Sequence, residues 1–279
     1  MNYINQDLDI LPLKNTNDNI EYKQDLDKRL FNANRGICAM LIAQPGSGKT
    51  VLLANIFARF LKEYYENIHF ICASKDPSLQ PLFDVYGEPH PECSDGLIQS
   101  IIQSQYDQDE DSETQYPRCN AAIVIDDALA MRSFNSRKST SLSRMASNYR
   151  HILRGHLPHK VEGKKKLQHG GGGMLILSTQ KYSSTIPTSF KACCNTIIIG
   201  KLSNKQEYYQ LIKDYCETFG GEDVFKAMIN YTFKDDYAFL CLYCDGDLDP
   251  DTKGPVAYKN MSEKLFPTER FPAKEFQLE

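Results

Sequence analysis

Apolar residues in this chain gather into short runs bounded by turn residues, with helical periodicity between them. Ile37-Cys-Ala-Met-Leu-Ile42, Asn67-Ile-His-Phe-Ile-Cys-Ala73, Ala121-Ala-Ile-Val-Ile-Asp-Asp127, Met174-Leu-Ile-Leu-Ser-Thr-Gln180 and Asn195-Thr-Ile-Ile-Ile-Gly200 read as strands buried on both faces. Tyr237-Ala-Phe-Leu-Cys-Leu-Tyr243 alternates and is aromatic, as a late strand before the turn Asp245-Gly-Asp. Val51–Leu61, Leu142–Leu153 and Lys205–Phe219 carry apolar residues at helical spacing, and Gly220-Gly221 stops the last of them. Leu142, Met145, Tyr149, Ile152 and Leu153 make one apolar side, which turns the arginines of that helix outward or toward a partner. Strands alternating with helices predict an α/β fold: a mostly parallel sheet with helices on both faces and an antiparallel C-terminal addition.

The segments between these elements are polar. Residues 1–34 read as an N-terminal arm for contacting a neighbouring subunit, with Leu8–Leu13 as an edge strand and Tyr22–Phe31 as a short helix. Residues 84–118 read as irregular around a short helix over Gly96–Gln105, and the acidic run Asp107-Gln-Asp-Glu-Asp-Ser-Glu113 as a flexible exposed loop. Residues 160–173 end in four glycines, which carry a heavy entropic cost inside a strand or helix, and so read as a basic, Gly-rich loop insertion. Residues 246–279 are a proline-punctuated tail with little that predicts structure. One domain over 35–245 follows.

Chemistry concentrates at strand ends. Between the first strand and first helix stands Ala43-Gln-Pro-Gly-Ser-Gly-Lys-Thr50, the motif G-x-x-x-x-G-K-[ST] with alanine at its first glycine. Gln44, Pro45, Gly46, Ser47 and Gly48 form the loop, whose backbone N–H groups curl around phosphate oxygens at a helix N-terminus. Lys49 reaches the β- and γ-phosphates, and the Thr50 hydroxyl helps hold Mg²⁺. ATP and Mg²⁺ are therefore the expected ligands. The run ending in Asp126-Asp127 has the form of a Walker B strand, with Asp126 on the Mg²⁺ shell and Asp127 as general base for the attacking water. Gln180 ends the strand that, in P-loop ATPases with an extra strand between these two motifs, carries a sensor of the γ-phosphate. Arg150 and Arg154 are candidates for an arginine acting in trans on a neighbour's transferring phosphoryl group.

Charge is segregated along the chain. Net charge is only −4, but Ala128–Gln206 holds fourteen Lys or Arg against one acid, Glu162, so this stretch carries +13 and the remainder −17. That is the electrostatic footprint of a protein that meets a polyanion such as nucleic acid, and Lys164, Lys165 and Lys166 suit sequence-independent phosphate contact. The nine cysteines, an odd number set mostly in apolar runs, read as free buried thiols of a reducing compartment. Cys241-Leu-Tyr-Cys244 has zinc-ligand spacing without a second pair. No apolar run approaches a membrane span, and the first residues lack the shape of a signal peptide.

Gln44-Pro-Gly-Ser-Gly-Lys-Thr50, Ile123-Val-Ile-Asp-Asp127 and Leu177-Ser-Thr-Gln180 together resemble the FtsK/HerA superfamily of ASCE, RecA-like P-loop NTPases. More narrowly, the chain resembles the genome-packaging ATPases of poxviruses, other large DNA viruses and virophages over residues 30–245. Tyr149-Arg-His151 or Arg154-Gly-His156 corresponds to their Arg-His element, and Ile186-Pro-Thr-Ser-Phe-Lys-Ala-Cys-Cys-Asn195 to a later segment. The resemblance implies a homo-oligomeric ring, pentamer or hexamer, that drives double-stranded DNA into a preformed capsid through a capsid vertex or portal-like protein. It implies a place in the host-cell cytoplasm or viral factory, or association with the virion. A cellular or plasmid DNA-transfer ATPase, and a nucleotide-switched DNA-binding scaffold without motor activity, are the other readings.

Overall fold

The computed structural model describes residues 36–57, 65, 67–110, 120–128, 131, 140–161, 164–169, 172–183, 186–244, 256–261 and 267–271. The N-terminal arm lies outside the described residues. Ten strands and seven α-helices follow in the order β1 (Ile37–Ile42), α1 (Lys49–Ile56), β2 (Asn67–Cys72), α2 (Gln80–Tyr86), α3 (Asp95–Glu110), β3 (Ala121–Asp126), α4 (Thr140–Ile152), β4 (His156–Val161), β5 (Lys164–His169), β6 (Met174–Thr179), α5 (Thr188–Cys193), β7 (Thr196–Ile199), α6 (Lys205–Tyr215), α7 (Glu222–Thr232), β8 (Ala238–Tyr243), β9 (Val256–Met261) and β10 (Pro267–Phe271).

Eight of the strands form one sheet in the order β10-β9-β8-β7-β1-β6-β3-β2. From β7 to β2 every pairing is parallel, and from β7 to β10 every pairing is antiparallel. β1 shows why the central strands are apolar throughout. Cys38, Met40 and Ile42 point into one core, with residues of α3, α4, α6 and α7. Ile37, Ala39 and Leu41 point into the other, with α1 and α2. A strand covered on both faces has no polar face to show, which is the physical basis of its continuous apolar run. Cys38, Cys72 and Cys241 are free buried thiols within this sheet.

Three sequence expectations are corrected. Within the stretch 160–173, residues 160–161 and 164–169 are strand rather than loop: β4 and β5 pair antiparallel from His156↔His169 to Val161↔Lys164, making a two-stranded sheet of their own. Its strands are held by backbone pairing, so the polar string Lys-Lys-Lys-Leu-Gln-His carries no apolar alternation to announce them. Of the glycines, Gly173 has a packing role: a Cβ there would stand 2.0 Å from the Leu153 Cβ, where the end of α4 presses on the start of β6. The helix expected over Gly96–Gln105 is longer: α3 starts at Asp95 and runs on through Asp107 to Glu110. Gln103 donates to Asp107 one turn on, at 2.7 Å, tying the acidic end into the helix. The tail after 245 also adds β9 and β10 to the main sheet. Among the described residues no helix is long and apolar enough to cross a membrane.

Candidate active site

The phosphate loop leaves β1 at its C-terminal end, between β7 and β6 in the parallel part of the sheet. Gly46 and Gly48 take left-handed backbones, φ 72° and 86°, which an L side chain would strain. Ala43 has no such conformation; it is fully buried, and a Cβ on Gly200 would come within 2.5 Å of its own. The motif's first glycine is therefore dispensable here, because the close approach is supplied by Gly200 at the end of β7. The loop is pinned on both sides: Ala43 N donates to Thr179 O at 3.2 Å, and Gln44 N to Lys201 O at 2.8 Å. Ser47 Oγ donates to Gln44 O at 2.7 Å. α1 starts at Gly48 without a side-chain cap and without an acid in its first turn, so its N-terminal N–H groups and dipole face the loop.

Lys49, 9% exposed, donates its ammonium to the carbonyls of Ala43 at 3.1 Å and Gln44 at 3.3 Å. Burial lowers its pKa, and Asp126 and Asp127 oppose that by favouring the charged form. Two strands away, Asp126 ends β3 and is itself buried. Burial pushes its carboxyl up against the attraction of Lys49. β6 lies between these two motif strands, as expected of the extra strand. Its Ser178 Oγ is close enough to Asp126 to ease that charge, yet it is buried and out of hydrogen-bond geometry with any partner.

Asp127 has the left-handed backbone at φ 51°, an uncommon state for a non-glycine residue that Asp and Asn tolerate best. Gln180 Nε2 donates to its Oδ1 at 3.1 Å. The segment after Gln180 is held in turn by Glu207 of α6, which sequence reading did not single out. Its Oε2 accepts from Tyr182 N at 2.6 Å and Ser183 N at 2.8 Å, and its Oε1 from Ser183 Oγ at 2.6 Å. Burial pushes the Glu207 carboxyl up, but the Ser183 hydroxyl, the two N–H groups and Lys191 together hold it below its ordinary value. A helical Glu whose partners stand more than twenty residues upstream leaves no local signal.

The oxygen donor set fits a hard divalent cation. Asp126 is a buried carboxylate, Ser178 an orphaned hydroxyl beside it, and Thr50 opens α1 at the loop. The structure thus brings together the loop, Lys49, Asp126, Asp127 and Gln180 along one edge of the sheet.

Arg150 and Arg154 stand at the other edge. A Cβ on Gly36, ahead of β1, would lie 3.2 Å from Arg150 Cγ, and Leu153 O accepts from Ala121 N at the start of β3. A six-residue strand separates the edges, about 20 Å. Neither arginine serves its own chain's site. Tyr149 OH accepts from Arg150 Nε at 2.9 Å, and Asn195 Nδ2 donates to that hydroxyl at 3.2 Å and to Gly36 O at 3.1 Å. Lys164, Lys165 and Lys166 lie on β5, and their side chains are outside the described residues.

A phosphate loop after β1, a carboxylate pair two strands away and the intervening β6 are the arrangement of the ASCE-type P-loop NTPase fold. Solved structures share the fold. The genome packaging NTPase B204 from Sulfolobus turreted icosahedral virus 2, in complex with AMPPCP, is similar with a TM-score of 0.50 at 15% identity, covering 80% of this chain and 97% of that one. B204, the DNA-packaging ATPase from Sulfolobus Turreted Icosahedral Virus, gives 0.49 at 15%, covering 81% and 97%. The monomer of TcpA, the pCW3 conjugation coupling protein, with ATPgS gives 0.44 at 12%, covering 64% and 52%. No protein-family model and no curated protein sequence matches the chain.

Proposed function

We propose that this chain hydrolyses ATP and couples hydrolysis to translocation of double-stranded DNA, packaging a viral genome into a preformed capsid. The observation that carries the reading is the contact of Gln180 with Asp127 beside the buried Lys49, on a fold shared with a packaging NTPase. A γ-phosphate sensor bonded to the general base makes hydrolysis answer to nucleotide occupancy, which a motor needs and a passive binding module does not.

Gly46–Thr50 and the N-terminus of α1 cradle the phosphates, and Lys49 draws charge from the β,γ-bridge. Thr50 and Asp126 would hold Mg²⁺, with Ser178 as a further oxygen toward it, and the bound ion would supply charge neutralisation for the phosphoryl oxygens. Asp127 orients the attacking water and takes its proton. Gln180 steers that carboxylate and reads the γ-phosphate. Because Arg150 and Arg154 stand at the opposite edge of the sheet from their own site, one of them completes a neighbour's site in a head-to-tail homo-oligomeric ring. The basic stretch from Ala128 to Gln206, with Lys164, Lys165 and Lys166 on β5, tracks the DNA backbone whatever its sequence. The ring works at a capsid vertex or portal-like protein, in the cytoplasm or viral factory of the host.

The test is steady-state turnover of ATP with and without double-stranded DNA, at low and moderate salt. Stimulation by DNA of any sequence, weakened by salt, supports the motor. Turnover by the assembled ring that ignores DNA would replace it with a partner-driven ATPase.

A further inference from the structure

A cavity of about 590 Å³ opens between α6 and α7, lined by Lys201, Lys205, Tyr208, Tyr209, Lys226 and Phe233 among others. Pockets of roughly 300–1,000 Å³ hold small ligands. One wall is bonded directly to the phosphate loop, since the Lys201 carbonyl accepts from Gln44 N at 2.8 Å. The wall is also rigid. Leu202 N donates to Tyr208 OH at 2.8 Å, and Asn204 Oδ1 caps α6 by accepting from Gln206 N at 2.8 Å. Tyr208 is thereby fixed, with its ring 6.1 Å from that of Phe233. Tyr209, next along α6, is 65% exposed, a large aromatic that the core does not use. Among the described residues no acid lines the cavity, and Lys226 is paired one turn back with Glu222 at 2.5 Å.

Asp126, Asp127 and Gln180 sit at the tips of β3 and β6, on one side of β1, while Lys201 follows β7 on the other. A nucleotide laid across the loop with its γ-phosphate toward Gln180 carries its base and ribose past β7. We infer that the α6–α7 groove is the nucleoside subsite: Tyr209 stacks on the base, and Lys201 and Lys205 donate to the ribose and the α-phosphate. Flat aromatic faces bind any base by stacking, and ammonium donors suit the sugar–phosphate junction. This rests on the reading of the chain as an ATPase and adds to it the part of the nucleotide that the loop leaves free.

The chain contains no tryptophan, so Tyr209→Trp makes a single fluorescent reporter at an exposed position. Its emission, followed beside calorimetric titration of the full chain with ATP and with inorganic tripolyphosphate, tests the proposal. ATP is expected to quench the emission and tripolyphosphate to bind without quenching. In Tyr209→Ala the affinity for ATP is expected to fall about tenfold, the scale of one lost base stack, with tripolyphosphate affinity unchanged. ATP that binds without moving the emission, together with a Tyr209→Ala chain that binds ATP as the parent does, overturns the subsite. Quenching by an oligonucleotide but not by ATP overturns it in favour of a nucleic-acid groove. If the parent chain binds neither ATP nor tripolyphosphate, the ATPase reading itself has failed and the subsite falls with it.

Discussion

Gln180 Nε2 donates to Asp127 Oδ1 at 3.1 Å across the tips of two neighbouring strands. The bond depends on the left-handed turn at Asp127, which ends β3 and carries its carboxylate to the tip of β6. Asn accepts the same backbone and keeps an oxygen for Gln180, but it takes no proton from water. Asp127→Asn is therefore expected to leave ATP affinity intact and to lower turnover about 10²–10⁴-fold. Calorimetry and steady-state kinetics on one preparation separate the two effects. Near-parental turnover would remove Asp127 from the reaction.

Ser178 separates a metal role from packing. A buried hydroxyl out of hydrogen-bond geometry costs about 1–3 kcal/mol, but Ser178 also eases the Asp126 charge; the two effects oppose, so Ser178→Ala should melt close to the parent when no ligand is present. The same change should narrow the difference in ATP affinity measured with Mg²⁺ and with EDTA. A lower melting temperature with an undisturbed Mg²⁺ effect would assign the hydroxyl to the core.

Glu207 gives a pH dependence of definite sign. Its folded-state pKa is lowered, so its stabilisation is present in full above the ordinary carboxylate value and is lost as pH falls through the folded value. Glu207→Gln removes the charge that three donors share, and at pH 7 should lower unfolding stability by about 1.5–3 kcal/mol. The gap to the parent should narrow as pH falls through the ordinary carboxylate range and close once pH is below the folded-state value, where the parent's carboxyl is protonated. Because Tyr182 and Ser183 stand two and three residues after Gln180, kcat should fall more than ATP affinity. Urea unfolding from pH 7 to pH 3.5, with kinetics at pH 7, reads both. A gap that is constant with pH would show that the charge contributes nothing.

The core of the fold was legible because burial on both faces leaves an unmistakable pattern. β1, β3 and β6 are each buried throughout, and their polar or turn-forming ends mark the C-terminal edge where the site lies. The phosphate loop and Asp126-Asp127 could be read because their chemistry is local in sequence. What escaped is held by backbone pairing that leaves no apolar pattern. β5 is a strand through its bonds to β4, and β9 and β10 through theirs to β8, none of which requires an apolar run. Glu207 looks like any surface acid of α6 until the segment after Gln180 is folded against it. The α6–α7 groove is equally silent, since Lys201 and Lys226 meet only through the turn between two helices.

Arg150 and Arg154 call for an experiment between subunits. Arg150 is exposed in the last turn of α4, so Arg150→Ala should fold as the parent does. If it acts in trans, the homogeneous variant ring should lose about 10³–10⁵ in kcat, the scale of an arginine finger, with ATP binding retained. Lys49→Ala chains cannot hold ATP productively but still present both arginines. Mixing them with Arg150→Ala chains creates interfaces where an intact Lys49 faces an intact Arg150. Turnover should then reappear in the mixture though neither variant has it alone. The same mixture made with Arg154→Ala decides between the two, because only loss of the acting arginine both silences the ring and is rescued by mixing. Full activity of both arginine variants alone would place the finger elsewhere in the chain.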